Sequence, residues 1–123
     1  MDELFAFYGS LRRGMDNYDV YKDDLLYLFS TRLQGYQLYS RGQYPFAVKT
    51  GGKESIVVEV FQSRNPVTAQ SIHQMELEEG YYRAEEMING KKTTIYLFED
   101  GKNYPEVSGG DWVTFFRQRG TWA

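Results

Sequence analysis

The chain has 123 residues, a net charge of −3 from 14 Lys and Arg against 17 Asp and Glu, no cysteine, and 11 tyrosines within an aromatic content of 17%. Its length suits one domain, residues 1–123, and the missing cysteines exclude disulfides, thiolate metal sites and cysteine nucleophiles while fitting a reducing, cytoplasmic compartment. No run approaches the ~20 apolar residues of a membrane span, Met1-Asp2-Glu3 opens no basic leader, and interspersed charge offers no broad field to a polyanion, so neither membrane nor nucleic acid is expected as a partner.

Leu4–Phe7 predicts a short buried first strand, Leu11–Asn17 the loop leaving it, and Tyr18–Asp24 a short helix. Leu26, Leu28, Ser30, Leu33, Tyr36 and Leu38 then predict one long strand with a bulge or bend at Gly35. Pro45 lacks a donor and interrupts pairing, Phe46–Val48 resumes it briefly, and Gly51-Gly52 turns the chain. Ser55–Phe61 is β-branched and reads as a central strand. Asn65 as N-cap and Pro66 in the first turn open a helix that runs to about Glu79, where Gly80 caps it. Tyr82–Met87 and Thr93–Phe98 form two strands joined across Asn89-Gly90, and after a loop Asp111–Arg117 reads as a strand or a helical turn. The order does not alternate as a doubly wound sheet would. It predicts an α+β fold, a small mixed β-barrel with one principal helix and short flanking helices.

Two segments point to chemistry. Phe5–Gly14 passes from an apolar strand into a loop in which Gly9 and Gly14 allow backbone angles closed to other residues, so that the amides of Tyr8, Gly9, Ser10 and Leu11 turn toward one ligand. A concave row of amides binds anions. The plainer alternative is an ordinary turn followed by solvated Arg12 and Arg13. In the second segment, a helix begun at Asn65 places Ala69, Ile72, Met75 and Glu79 on one face, with Glu76 close to it and Glu78 away from it. Glu79 would then point inward, and a carboxylate there requires hydrogen bonds, an opposite charge or a wet pocket. The alternative for Glu76-Leu77-Glu78-Glu79 is a frayed, exposed helix end. Competing sites are weak. His73 is the only histidine, suits the surface and cannot build a multi-histidine metal site; Ser10 lacks a nucleophile elbow; Gly9–Gly14 lacks the lysine of a phosphate loop. No metal and no cofactor is expected.

Together these segments resemble the gamma-glutamylcyclotransferase-like family, in the manner of a small bacterial-type member. That family carries a Tyr-Gly-Ser/Thr-Leu loop after its first strand and a later Leu-Asp-x-x-Glu-Gly motif. The counterparts here are Tyr8-Gly9-Ser10-Leu11 and Met75-Glu76-Leu77-Glu78-Glu79-Gly80. Gly35-Tyr36-Gln37-Leu38, Tyr44-Pro45, Glu59-Val60-Phe61, Tyr81-Tyr82-Arg83 and Gly109-Gly110-Asp111-Trp112 follow the family order, so the likeness covers nearly the whole chain. Met75-Glu76 departs from Leu-Asp, Val58 stands where glycine is common, and the connection from Gly80 to Tyr82 is short.

The resemblance implies a pocket between the N-terminal loop and a catalytic Glu79, with Tyr8, Gly9, Ser10 and Leu11 holding the substrate carboxylate and Tyr82 lining the wall. It implies cleavage of a small γ-glutamyl amine or peptide by attack of the substrate's own α-amine on its γ-carbonyl, releasing 5-oxoproline. That reaction needs no protein nucleophile and no metal, only a glutamate whose pKa burial has raised so that it serves as base and then acid. The competing expectation is a non-enzymatic member that binds a small carboxylated metabolite or serves as an interaction module. Exposed strand edges would permit self-association, and no motif sets an oligomeric state.

Overall fold

Phe5 and Phe7 point to one side of the first strand and Ala6 to the other, and all three are buried. A strand apolar on both faces belongs in the middle of a sheet. The computed structural model describes residues 3–120 and places strand β1, Glu3–Phe7, at the centre of five strands. Met1 and Asp2, read above for a leader, lie outside the described residues.

Helix α1 (Asp16–Tyr21) and a 3₁₀ turn (Lys22–Asp24) lead into β2 (Leu25–Gln34). Two strands, β3 (Tyr36–Ser40) and β4 (Pro45–Lys49), pair with each other in a separate two-stranded sheet, and β5 (Ser55–Ser63) returns to the main sheet. Helix α2 (Pro66–Glu78) is followed by β6 (Tyr82–Ile88), β7 (Lys91–Leu97) and helix α3 (Trp112–Gly120). The main sheet has the order β2-β5-β1-β7-β6, with β1 antiparallel to β5 and parallel to β7. Among the described residues the sheet does not close on itself, so the fold is α+β as expected and a barrel only in the loose sense. The β3-β4 hairpin packs against β5 and β7 and curls over one face.

Local signals place most boundaries. The Asn65 side chain accepts a hydrogen bond from the Val67 amide at 2.9 Å, and Pro66 opens α2. Asn89 and Gly90 both take positive φ, 51° and 76°, as a tight two-residue hairpin requires. The long strand expected through Leu38 is instead two strands in two sheets. Gly35, at φ +89°, turns the chain out of the main sheet, and the bulge lies earlier, at Leu28. Of Asp111–Arg117, the residues from Trp112 onward are helical within α3, and Asp111 stands just before its first turn.

Two apolar clusters flank the sheet. Phe5, Phe7, Phe61 and Ile72 pack beneath α2, whereas Leu38, Ile56, Val58, Ile95 and the fully buried Trp112 fill the side under the hairpin and α3. The cavity described next opens between the end of β1, the hairpin and the end of α2.

Candidate active site

The chain leaves β1 at Tyr8, whose side chain is buried. Its hydroxyl donates to the Tyr96 carbonyl at 2.6 Å and accepts from the Ala47 amide at 3.1 Å. Tyr8 therefore pins the hairpin to β7, and its ring walls the cavity. Burial, followed by the proximity of Tyr81 and Glu76, holds its pKa well above the ordinary value. Gly9 is required for a different reason from the one its sequence suggests. Its φ is not positive; a Cβ there would lie 2.7 Å from Cγ of Pro45, so glycine lets the loop close onto the hairpin.

Gly9 and Arg12 close a turn, with the Arg12 amide donating to the Gly9 carbonyl at 3.0 Å. The Ser10 carbonyl accepts from Tyr18 at 3.0 Å and its hydroxyl accepts from the Asn17 side chain at 2.7 Å, fastening the loop to α1. The backbone amides of Gly9, Ser10 and Leu11 have no acceptor among the described residues. Leu11 is buried in the cluster under α2 and also lines the cavity. The arginines that follow are not a solvated pair. Arg12, 7% exposed, bonds Glu59 at 2.9 Å and Asp111 at 2.8 Å. Arg13 adds its amide and Nε to the same carboxylate, both at 3.0 Å. Burial pushes Glu59 up, but these donors more than offset it and hold the carboxyl below its ordinary value. The network anchors the loop to β5 and to the residue that precedes α3.

The opposite wall is the end of α2. Ala69 and Ile72 face the core as the periodicity predicts, and Met75 packs at its edge. Glu79 is the C-cap residue, and Gly80 follows at φ +98°. The Gly80 amide reaches back to the Leu77 carbonyl and the Tyr81 amide to the Glu76 carbonyl, both at 3.1 Å, the double bond of a Schellman turn. This turn folds Tyr81 back over the helix end beside Glu76, with its hydroxyl donating to the Pro45 carbonyl. Tyr82 points out on β6, 40% exposed and outside the cavity lining, so the pocket tyrosine expected at Tyr82 is Tyr81 instead.

Both Glu76 and Glu79 line the cavity, but they sit differently. Glu79 is exposed at the mouth rather than turned inward, because the cap position lies beyond the packed face. Glu76 lies deeper, and its carboxyl has no hydrogen-bond partner among the described residues; burial, reinforced by the charge of Glu79, pushes its pKa from 4.5 to about 8. Arg41 completes the rim, donating to the Glu79 carbonyl at 3.3 Å with its guanidinium 5.0 Å from the centroid of Phe98. The resulting cavity measures about 210 Å³. It brings together Tyr8, Gly9, Ser10, Leu11 and Glu79 and leaves Tyr82 out. His73 is half-buried against Tyr96, 3.2 Å from its hydroxyl. Among the described residues no three His, Cys, Asp or Glu side chains are grouped to hold a metal ion, and no helix is long and apolar enough to cross a membrane.

The helical repeat sets Glu76 close to the inward face but gives it no role, and nothing local in the sequence marks Arg41 as a rim residue or joins Arg12, Glu59 and Asp111 into one network. The one available signal is Glu59, a single carboxylate inside the otherwise β-branched β5.

The fold and cavity define a small α+β protein with an acid-bearing pocket at the end of its principal helix. The chain belongs to the gamma-glutamyl cyclotransferase, AIG2-like family, whose model matches residues 5–114. Solved structures similar to it include the uncharacterized protein PH0828 from Pyrococcus horikoshii, at 26% identity, 97% coverage of each chain and a TM-score of 0.81. The ytfP protein from Escherichia coli is 24% identical over 94% of this chain and 99% of its own, with a TM-score of 0.70. An AIG2-like protein from Mus musculus is 15% identical over 86% of each chain, with a TM-score of 0.67. No curated protein sequence matches the chain. Membership of this family suggests cyclotransferase activity.

Proposed function

We propose that this protein is a cyclotransferase that cleaves a small γ-glutamyl amine or peptide into 5-oxoproline and the free amine. One observation carries the reading: a single cavity gathers the Gly9–Leu11 loop, Glu76, Glu79 and Arg41. A γ-glutamyl group presents an α-carboxylate and an α-ammonium on one carbon, and this mixture of donors and carboxylates complements both.

In the proposed reaction the loop amides take the α-carboxylate, with Ser10 and the Tyr8 ring completing that wall. Glu79 takes a proton from the α-ammonium, and the freed amine attacks the γ-carbonyl carbon. In the tetrahedral intermediate the attacking nitrogen gives its remaining extra proton to water, Glu79 returns the proton it holds to the departing nitrogen, and the original amide C–N bond breaks as the carbonyl re-forms. The attack is intramolecular, so holding the substrate folded supplies much of the rate, with effective molarities of roughly 10⁵–10⁸ M in well-oriented systems. Glu76 is protonated at neutral pH, since its pKa stands at about 8, and so offers the cavity a hydrogen-bond donor rather than a second charge.

Release of 5-oxoproline from a panel of γ-glutamyl amines and dipeptides, measured for the wild type beside folded Glu79→Gln, tests this. Turnover lost in the variant supports the roles assigned; inactivity of both across the panel overturns them. The exposure of Glu79 favours a second reading, a pocket that binds a small carboxylated metabolite without turning it over. Calorimetric binding of 5-oxoproline or glutamate by a wild type inactive on the whole panel would establish that reading.

A further inference from the structure

Arg41 is the only cationic side chain lining the cavity, and it forms no ion pair among the described residues. Elsewhere in the protein the buried guanidinium, that of Arg12, is neutralised by two carboxylates. Arg41 instead rests over Phe98, donates to the main-chain carbonyl of Glu79 at 3.3 Å and also hydrogen-bonds the Tyr81 side chain. A guanidinium has five N–H donors in a planar fork suited to a carboxylate, so these neutral partners leave donors for an anion.

We propose that Arg41 holds the carboxylate of the departing group, making γ-glutamyl conjugates of amino acids the preferred substrate class over γ-glutamyl derivatives of simple amines. The inference rests on the cyclotransferase reading and follows from where the leaving nitrogen must sit. Glu79 has to reach that nitrogen to protonate it. Arg41 is bonded to the main chain of Glu79, so the group carried by the nitrogen emerges beside the guanidinium. In an α-amino acid the carboxylate is one carbon from the nitrogen, within the span of such a contact; a simple amine has nothing there for Arg41 to hold. The loop amides on the opposite wall remain for the glutamyl α-carboxylate, so each of two anionic groups has its own donors.

The test compares γ-glutamyl-alanine with γ-glutamyl-ethylamide, a pair differing only in that carboxylate, by 5-oxoproline release in the wild type, Arg41→Gln and Arg41→Lys. The expected wild-type preference in kcat/KM for the alanine compound is roughly tenfold or more, from one charge-assisted contact at an exposed rim. The ratio should collapse toward one in Arg41→Gln and recover in part in Arg41→Lys. A wild-type ratio near one overturns the inference while leaving the cyclotransferase in place. A strong wild-type preference that Arg41→Gln preserves also overturns it, by assigning the carboxylate to other donors. Absence of 5-oxoproline from both compounds and from the wider panel removes the reading beneath it as well.

Discussion

Glu76→Gln isolates the ionisation of the most enclosed carboxyl in the cavity, because glutamine keeps the shape and cannot lose a proton. Burial and the charge of Glu79 raise the Glu76 pKa from 4.5 to about 8 in the folded protein. Between those values the native state retains a proton that the unfolded chain has lost, so the wild type loses stability as pH rises through this window and levels off above 8. At ~1.4 kcal/mol per pH unit, the interval from 4.5 to about 8 corresponds to ~5 kcal/mol. The carboxyl faces a cavity open to water, which screens its charge, and half of that figure, ~2–3 kcal/mol, is the working expectation. Urea unfolding of both proteins from pH 4 to pH 9 measures it. The stability difference should be constant below pH 4.5 and shift in favour of Glu76→Gln by ~2–3 kcal/mol by pH 9, roughly 6–12 °C in Tm. Every other titrating group except Glu79 cancels in the comparison. A flat difference across the window would refute the enclosure of Glu76, and a shift favouring the wild type at high pH would mean that a cation pairs with it.

Two further outcomes follow from buried polar groups. Tyr8→Phe leaves the Ala47 amide and the Tyr96 carbonyl without their shared partner and should cost about 2 kcal/mol in urea unfolding; a change below ~0.5 kcal/mol would show that the hydroxyl does not clamp the hairpin. Glu59→Gln removes one of the two carboxylates on buried Arg12 and should cost ~3 kcal/mol at pH 7. Because the Glu59 pKa is lowered on folding, its contribution is present above the unfolded value and disappears as pH falls through the folded one. Thermal unfolding at pH 7 and pH 3 should therefore show a gap that narrows in acid, and equal Tm values at pH 7 would refute the network's role.

Features that depend on near neighbours are legible in the chain alone. Asn65-Pro66 begins α2 because a side-chain oxygen and a fixed φ act within one turn, and Asn89-Gly90 makes the hairpin because both residues tolerate positive φ. The buried first strand, the β-branched fifth and the apolar face of α2 were legible from burial periodicity for the same reason. Tertiary structure decided what depends on residues remote in the chain. Gly35 ends one strand and begins another because the hairpin has its own place over the sheet, and Gly9 is glycine because Pro45 packs against it. Arg12 is buried because Glu59 and Asp111, 47 and 99 residues away, supply its counter-charges. In the cavity the helical repeat put Glu76 and Glu79 near one face but could not order them by depth. The Schellman turn did so, folding Tyr81 over Glu76 and leaving Glu79 at the rim, since a carboxyl's environment is set by what the rest of the fold lays against it.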